Sequence, residues 1–279
     1  MTFIKTQDNT DLYIKDWGTG SLVILIHGWP LSADSWDAVA VDLVEAGHRV
    51  VSYDRRGFGR SDQPSGGYDY DTLADDLAAV INYALPTQPI GEKATIVGFS
   101  MGGGEVARYM SRYGGKGIGK TVLIASVLPF LMHSQDNPTG IPHSVFDEIE
   151  QSLRADRAHF FTGFFENFFG VNILSPSVSV EVLMWMQALA MQASMKATLA
   201  CLSAFSSTDF RADLSAFTVP TLIIHGTDDV IVPIEVSAHQ LVKKLPQAIL
   251  REYPGAAHGL FATEKNRLVQ DLLLFLRDD

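Results

Sequence analysis

The sequence predicts an α/β fold: a mostly parallel, eight-stranded sheet covered by helices on both faces. Three observations carry that expectation. Short unbroken apolar runs recur along the chain, helical periodicity lies between them, and one long stretch breaks the alternation. A strand that is apolar at every position is buried on both faces, as in a parallel sheet sandwiched between helices. Strand alternating with helix further implies right-handed crossovers.

Phe3-Ile4-Lys5-Thr6 and Leu12-Tyr13-Ile14-Lys15 flank the turn-forming Asp8-Asn9 and read as a hairpin. Leu22-Val23-Ile24-Leu25-Ile26 is the first fully apolar strand. Similar runs follow at Arg49–Tyr53, Ala94–Val97, Lys120–Ile124 and Thr221–Ile224, with a shorter one at Ala248–Tyr253. Between them, Leu73, Leu77, Val80, Ile81 and Ala84 share one helical face, and Asp75 and Asp76 are expected on the other. From about Pro129 to Asp213 there are helical patterns but no clear strand. That stretch reads as a helical cap, about 129–213, inserted over the C-terminal edge of the sheet. The core is then 1–128 and 214–279, within a single domain of 1–279. A length of 279 residues exceeds the ~150 of a typical domain, but single α/β domains often run this long.

At 47% hydrophobic and 19% charged residues, the chain can bury a large core and is not disordered. Its 21 basic and 32 acidic residues give a net charge of −11, which argues against a nucleic-acid partner or an anionic membrane surface. A lone cysteine, Cys201, forbids an internal disulfide and any thiolate-rich metal site. The first residues lack the basic-then-apolar pattern of a signal peptide. The longest apolar stretch, Val180–Phe205, is interrupted by Glu181, Gln187, Gln192 and Lys196, whereas a span needs ~20 predominantly apolar residues. A soluble, cytoplasmic protein is expected.

The sharpest motif is Gly98-Phe99-Ser100-Met101-Gly102, which follows a buried strand and opens a helix through Val106 and Met110. Strand–turn–helix around Gly-x-Ser-x-Gly is the setting of a nucleophile elbow. A serine hydroxyl is a poor nucleophile at neutral pH and needs a base. Of eight histidines, His258 sits in a small-residue loop after the last strand and satisfies the chain order serine, acid, histidine. His225 ends a buried strand and reads as a satisfied core or loop histidine, and His27 as support for its own loop. The acid belongs after the penultimate strand, in Gly226-Thr227-Asp228-Asp229-Val230-Ile231-Val232-Pro233. Asp229 fits the spacing better than Asp228, which is left as a turn residue capping local amides. The oxyanion donors are expected to be the backbone N–H groups of Trp29, in the loop after the first parallel strand, and Met101. Pro30 carries no N–H and restricts Trp29. No histidine pair has helical i, i+4 spacing with a carboxylate between, so that metal motif is absent from the sequence.

Phe160, Phe161, Phe164, Phe165, Phe168 and Phe169 form a helical stripe. Such stripes are usually core, but this one lies in the insertion that faces the nucleophile. Phe164 and Phe168 are therefore expected to line an apolar acyl pocket with Trp29, Phe205 and Ile231. Met184, Met186, Met191 and Met195 read as filler. Arg55, Arg56 and Arg60, with Asp54 and Asp62, read as a structural ion-pair and turn network behind the elbow.

His27-Gly28-Trp29-Pro30, Tyr53 through Asp62, Gly98 through Gly104, Asp209-Phe210-Arg211 and Ala257-His258-Gly259 together carry a resemblance. The chain resembles the α/β-hydrolases, and more narrowly the cofactor-free haloperoxidase (perhydrolase) and arylesterase group. The resemblance implies an acyl-enzyme formed on Ser100 from a small-molecule ester or carboxylic acid. Water or hydrogen peroxide is then the acceptor, without metal or haem, and homo-oligomers occur among relatives. The same resemblance leaves amide or lactam hydrolysis on this triad as an alternative. A ligand receptor on a hydrolase scaffold is the reading from another class. Haloalkane dehalogenases and epoxide hydrolases place an aspartate where Ser100 stands.

Overall fold

The computed structural model describes residues 1–172 and 177–277. Eight strands lie among them: β1 Thr2–Lys5, β2 Asp11–Trp17, β3 Leu22–Ile26, β4 Arg49–Tyr53, β5 Ala94–Phe99, β6 Ile118–Ile124, β7 Thr221–Gly226 and β8 Ile249–Tyr253. They form one sheet in the order β1-β2-β4-β3-β5-β6-β7-β8. The β1–β2 and β2–β4 pairs are antiparallel and every later pair is parallel. The hairpin thus forms one edge. β3, β5 and β7 are buried at every position, as their unbroken apolar runs require. Each fully buried Val, Leu or Ile side chain contributes ~1.5–3 kcal/mol of hydrophobic stabilisation.

The α-helices are α1 Asp37–Glu45, α2 Tyr70–Ala84, α3 Met101–Arg112, α4 His143–Phe169, α5 Val180–Gln192, α6 Met195–Ser207, α7 Ala238–Lys244, α8 Leu260–Thr263 and α9 Lys265–Arg277. In α2 the Asp69 side chain caps the first turn by accepting from Thr72 N–H, and Leu73, Leu77, Val80, Ile81 and Ala84 are buried as expected. Asp76 departs from expectation. It is only 1% exposed and accepts two hydrogen bonds of 2.6 Å from Arg56. Asp76 lies three residues after Leu73 and four before Val80, so the periodicity places it on the inward face. Arg56 is buried there, and a buried cation requires a paired carboxylate.

The insertion is helical. α4 bends at Asp156 (φ −157°, ψ 91°), whose carboxylate accepts from His159 N–H at 2.9 Å and starts the second segment. It ends at Gly170, whose φ of 61° is the left-handed conformation that closes a helix. α5 and α6 begin at Ser179 and Ser194, whose hydroxyls accept from Val182 and Ala197 N–H, and the two helices cross at 98°. Among the described residues no single helix is long and apolar enough to cross a membrane. Reading the methionines as filler holds for Met186, which is buried, but Met184 and Met191 are exposed because they lie on the outer side of α5.

The arginine loop after β4 is a structural network, as expected. Arg55 pairs with Glu105, Arg56 with Asp76 and Asp8, and Arg60 with Asp54 and Asp34.

Candidate active site

β5 ends at the sheet centre and α3 leaves immediately, so Ser100 alone makes the turn. It takes φ 53° and ψ −118°, a region that non-glycine residues occupy only when the surroundings enforce it. Three backbone hydrogen bonds do so: Ser100 N–H to Ile124 O at 2.8 Å, and Gly103 and Val127 N–H to Ser100 O at 3.0 and 3.3 Å. The flanking glycine at position 98 is a steric requirement, because a Cβ there would lie 2.6 Å from Gly102 O. The Ser100 side chain is held at the strand end and the residue remains 6% exposed.

β7 and β8 supply the partners. The loop after β8 brings the His258 ring to 5.0 Å from Phe99 and 4.8 Å from Phe168, centroid to centroid. His258 Nδ1 lies 2.6 Å from Asp229 Oδ2. With Nδ1–H donated to a carboxylate, Nε2 is left as the basic nitrogen, and it is buried with no hydrogen-bond partner. Asp229 Oδ1 accepts from the N–H groups of Ile231 (2.9 Å) and Val232 (2.8 Å). Burial opposes ionisation of Asp229, yet the neighbouring His258 and His225 hold its carboxyl well below the ordinary carboxylate range. The structure thus joins Asp229, not Asp228, to His258. Asp229 is also the residue that caps the local amides, whereas the Asp228 carboxylate accepts from the Thr227 hydroxyl.

Met101 is the first residue of α3, where an N–H has no intrahelical partner. The loop carrying Trp29 is pressed against the elbow: a Cβ on Gly28 would meet the Phe99 ring at 2.7 Å and Ser100 Cβ at 3.0 Å. Pro30 follows Trp29 through a cis peptide. His27 supports this loop as expected, accepting from Arg55 N–H at Nε2 (3.0 Å). The Trp29 indole ties the loop to the cap, donating Nε1–H to Thr198 O at 3.0 Å and packing on Phe161, Phe164 and Phe205.

A cleft of about 920 Å³ runs along α4, with Val230, Ile231 and Pro233 also among its lining residues. Of the residues expected to line a pocket, Phe164 and Ile231 do line this cleft. Trp29 and Phe205 stand behind Phe164, and Ser100 and His258 are not among the lining residues. Phe168 is fully buried and packs edge-on against His258. The phenylalanine stripe divides between two sides of α4. Phe160 and Phe164 face the cleft, while Phe161, Phe165, Phe168 and Phe169 are core.

Two contacts escape the sequence reading. Tyr70 donates its hydroxyl to Met101 O at 3.1 Å, and His225 Nε2 lies 3.3 Å from Asp229 Oδ2. The first crosses from α2 and leaves no local pattern. The second had a signal: His225 ends the strand that leads into the acid-bearing loop, four residues before Asp229.

The alpha/beta hydrolase fold family model matches residues 21–265. The chain is 41% identical over 280 residues to a non-heme haloperoxidase of Rhodococcus erythropolis, covering 99% of each. It is 40% identical over 283 residues to a bifunctional esterase/perhydrolase of Acinetobacter calcoaceticus, covering 99% of this chain and 100% of the relative. Among solved structures, a bromoperoxidase from Bacillus anthracis superposes with a TM-score of 0.94 at 43% identity, covering 99% of both chains. With strand order, elbow and His258–Asp229 pair already pointing the same way, the chain belongs to the α/β-hydrolase fold family.

Proposed function

We propose that this protein is a serine carboxylesterase acting on small, fairly apolar esters through an acyl-enzyme, with perhydrolase activity when hydrogen peroxide replaces water. The observation that carries the reading is the His258–Asp229 hydrogen bond, which leaves His258 Nε2 unpartnered in the site of the strained Ser100. Ser100 Oγ attacks the ester carbonyl carbon and gives its proton to His258 Nε2. The oxyanion accepts hydrogen bonds from Trp29 and Met101 N–H, with the α3 N-terminus adding favourable potential. The tetrahedral adduct collapses and expels the alcohol, which takes the proton from His258. His258 then deprotonates water, whose oxygen attacks the acyl-serine; collapse of the second adduct breaks the bond to Ser100 Oγ, which regains the proton from His258 as the acid leaves. Hydrogen peroxide at that step yields a peracid instead, which oxidises halide in solution and returns to the acid.

The relatives named as esterase/perhydrolase and non-heme haloperoxidase support both acceptors. The apolar cleft along α4 is lined by Phe164, which packs on Trp29 of the loop against the elbow, and this neighbourhood supports an apolar acyl or alcohol group. A fluorophosphonate probe followed by mass spectrometry should label Ser100, and p-nitrophenyl esters of increasing acyl length should be hydrolysed with and without peroxide. An unlabelled Ser100 peptide from folded protein overturns the reading.

A further inference from the structure

Resting on that reading of Ser100, Asp229 and His258, we propose that His225 is a second positioning residue of the site: its Nε2–H donates to Asp229 Oδ2, the oxygen that orients His258. His225 lies at the end of β7 and is wholly buried. Its Nε2 stands 2.8 Å from Val232 O and 3.3 Å from Asp229 Oδ2. A carbonyl oxygen can only accept, so Nε2 carries the hydrogen; its shorter contact is Val232 O, and Asp229 Oδ2 is the farther acceptor the proposal assigns to it. Nδ1 is buried with no partner. A proton there would be an unmet donor on a buried cation, so the ring is the neutral Nε2–H tautomer.

The consequence is a carboxylate with two donors on each oxygen. Oδ1 takes Ile231 and Val232 N–H; Oδ2 takes His258 at 2.6 Å and His225 at 3.3 Å. Val232 closes the ring, since its N–H serves Oδ1 while its C=O holds His225. The carboxylate therefore cannot rotate away from His258 without breaking bonds on both oxygens. Because Oδ2 divides its charge between two donors, it stabilises an imidazolium at His258 less than a singly bonded oxygen does. His225 thus both aims the acid and limits the basicity the acid confers. The charged or titratable groups acting on Asp229 are His258, from the loop after β8, and His225 itself. Asp228 turns to Thr227, and Glu252 on β8 pairs with His239 on α7.

Three measurements test this. First, long-range 1H–15N spectra of wild-type protein labelled at histidine should show one imidazole fixed as the Nε2–H tautomer. That signal should vanish in His225→Gln. A Nδ1–H or cationic form overturns the proposal, even if other variants fail to fold. Second, His225→Phe keeps the bulk and removes the donor. The acidic limb of kcat/KM for p-nitrophenyl acetate should then move up by roughly half to one pH unit, with kcat down ~10-fold and KM within about twofold. Third, His225→Gln places an amide N–H near the lost one and should bring the limb back. An unmoved limb in folded His225→Phe, or a Gln variant as impaired as Phe, overturns the proposal. Fluorophosphonate labelling of wild-type Ser100 separates the two levels: labelling with an unmoved limb sinks His225 alone, whereas no labelling sinks the triad beneath it.

Discussion

Arg55 and Glu105 form an ion pair in which neither side chain has any exposure to solvent. Arg55 also donates to His27 O at 2.6 Å, while Glu105 lies on α3 and accepts from Tyr53 OH at 2.5 Å. The pair is a strut between the loop that presents Trp29 and the helix that begins at Met101. Burial pushes the Glu105 carboxyl up, and the adjacent Arg55 opposes that shift. Removing one partner leaves a buried charge uncompensated. Glu105→Ala should therefore lower unfolding stability by ~3–5 kcal/mol, measured by urea denaturation. A loss below about 1 kcal/mol would show that water or rearrangement compensates Arg55.

Asp229 has its carboxyl held below the ordinary range in the folded protein. A group depressed on folding contributes stability above its unfolded value, ~3.9, and loses it as pH falls through the folded value. Below about pH 5 the stability of wild type relative to Asp229→Asn should thus shrink as the pH falls. Parallel urea curves at each pH measure the gap. The same variant should lose ~10²–10⁴ in kcat, because an amide no longer orients and stabilises the imidazolium.

Phe164 separates the cleft from Trp29, with ring centroids 5.4 Å apart. Phe164→Ala should deepen the cleft towards Trp29 and shift the preferred p-nitrophenyl ester towards longer acyl chains. KM for the longest esters should fall several-fold, with acetate turnover changed less than about threefold. A preference unchanged across the series would remove Phe164 from the acyl wall.

Cys201 is buried on α6, and burial, reinforced by Glu105, pushes its thiol up to about 12. Buried and held in its protonated form, the thiol of the native protein should resist thiol reagents. Ellman titration should find one reactive thiol only after unfolding in urea. Rapid labelling of folded protein contradicts this packing.

The elbow, the sheet and the His258–Asp229 pair were legible because each has a local sequence consequence. An apolar run marks a central strand, small residues mark a crowded turn, and chain order narrows the histidines. The partners of Asp76 and Phe168 were not legible, for one shared reason. Each lies on a helix whose periodicity gives a face but not what that face meets, and only the packing brings Arg56 to one and His258 to the other. His225 was noticed as a buried strand end. Its second contact depends on how the loop after β7 folds back, which composition does not encode.

Gly259, next to His258, donates its N–H to Phe168 O at 2.8 Å, and a Cβ on Gly259 would strike the Phe169 ring at 2.4 Å. His258 is therefore seated on the last turn of the very helix whose outer face borders the cleft. Exchanging α4 for that of another hydrolase, as a way of importing a new substrate range, would transplant the histidine's support along with the wall. On the roles proposed above, a change of that wall also moves the histidine, so redesign of selectivity has to begin upstream of Phe168.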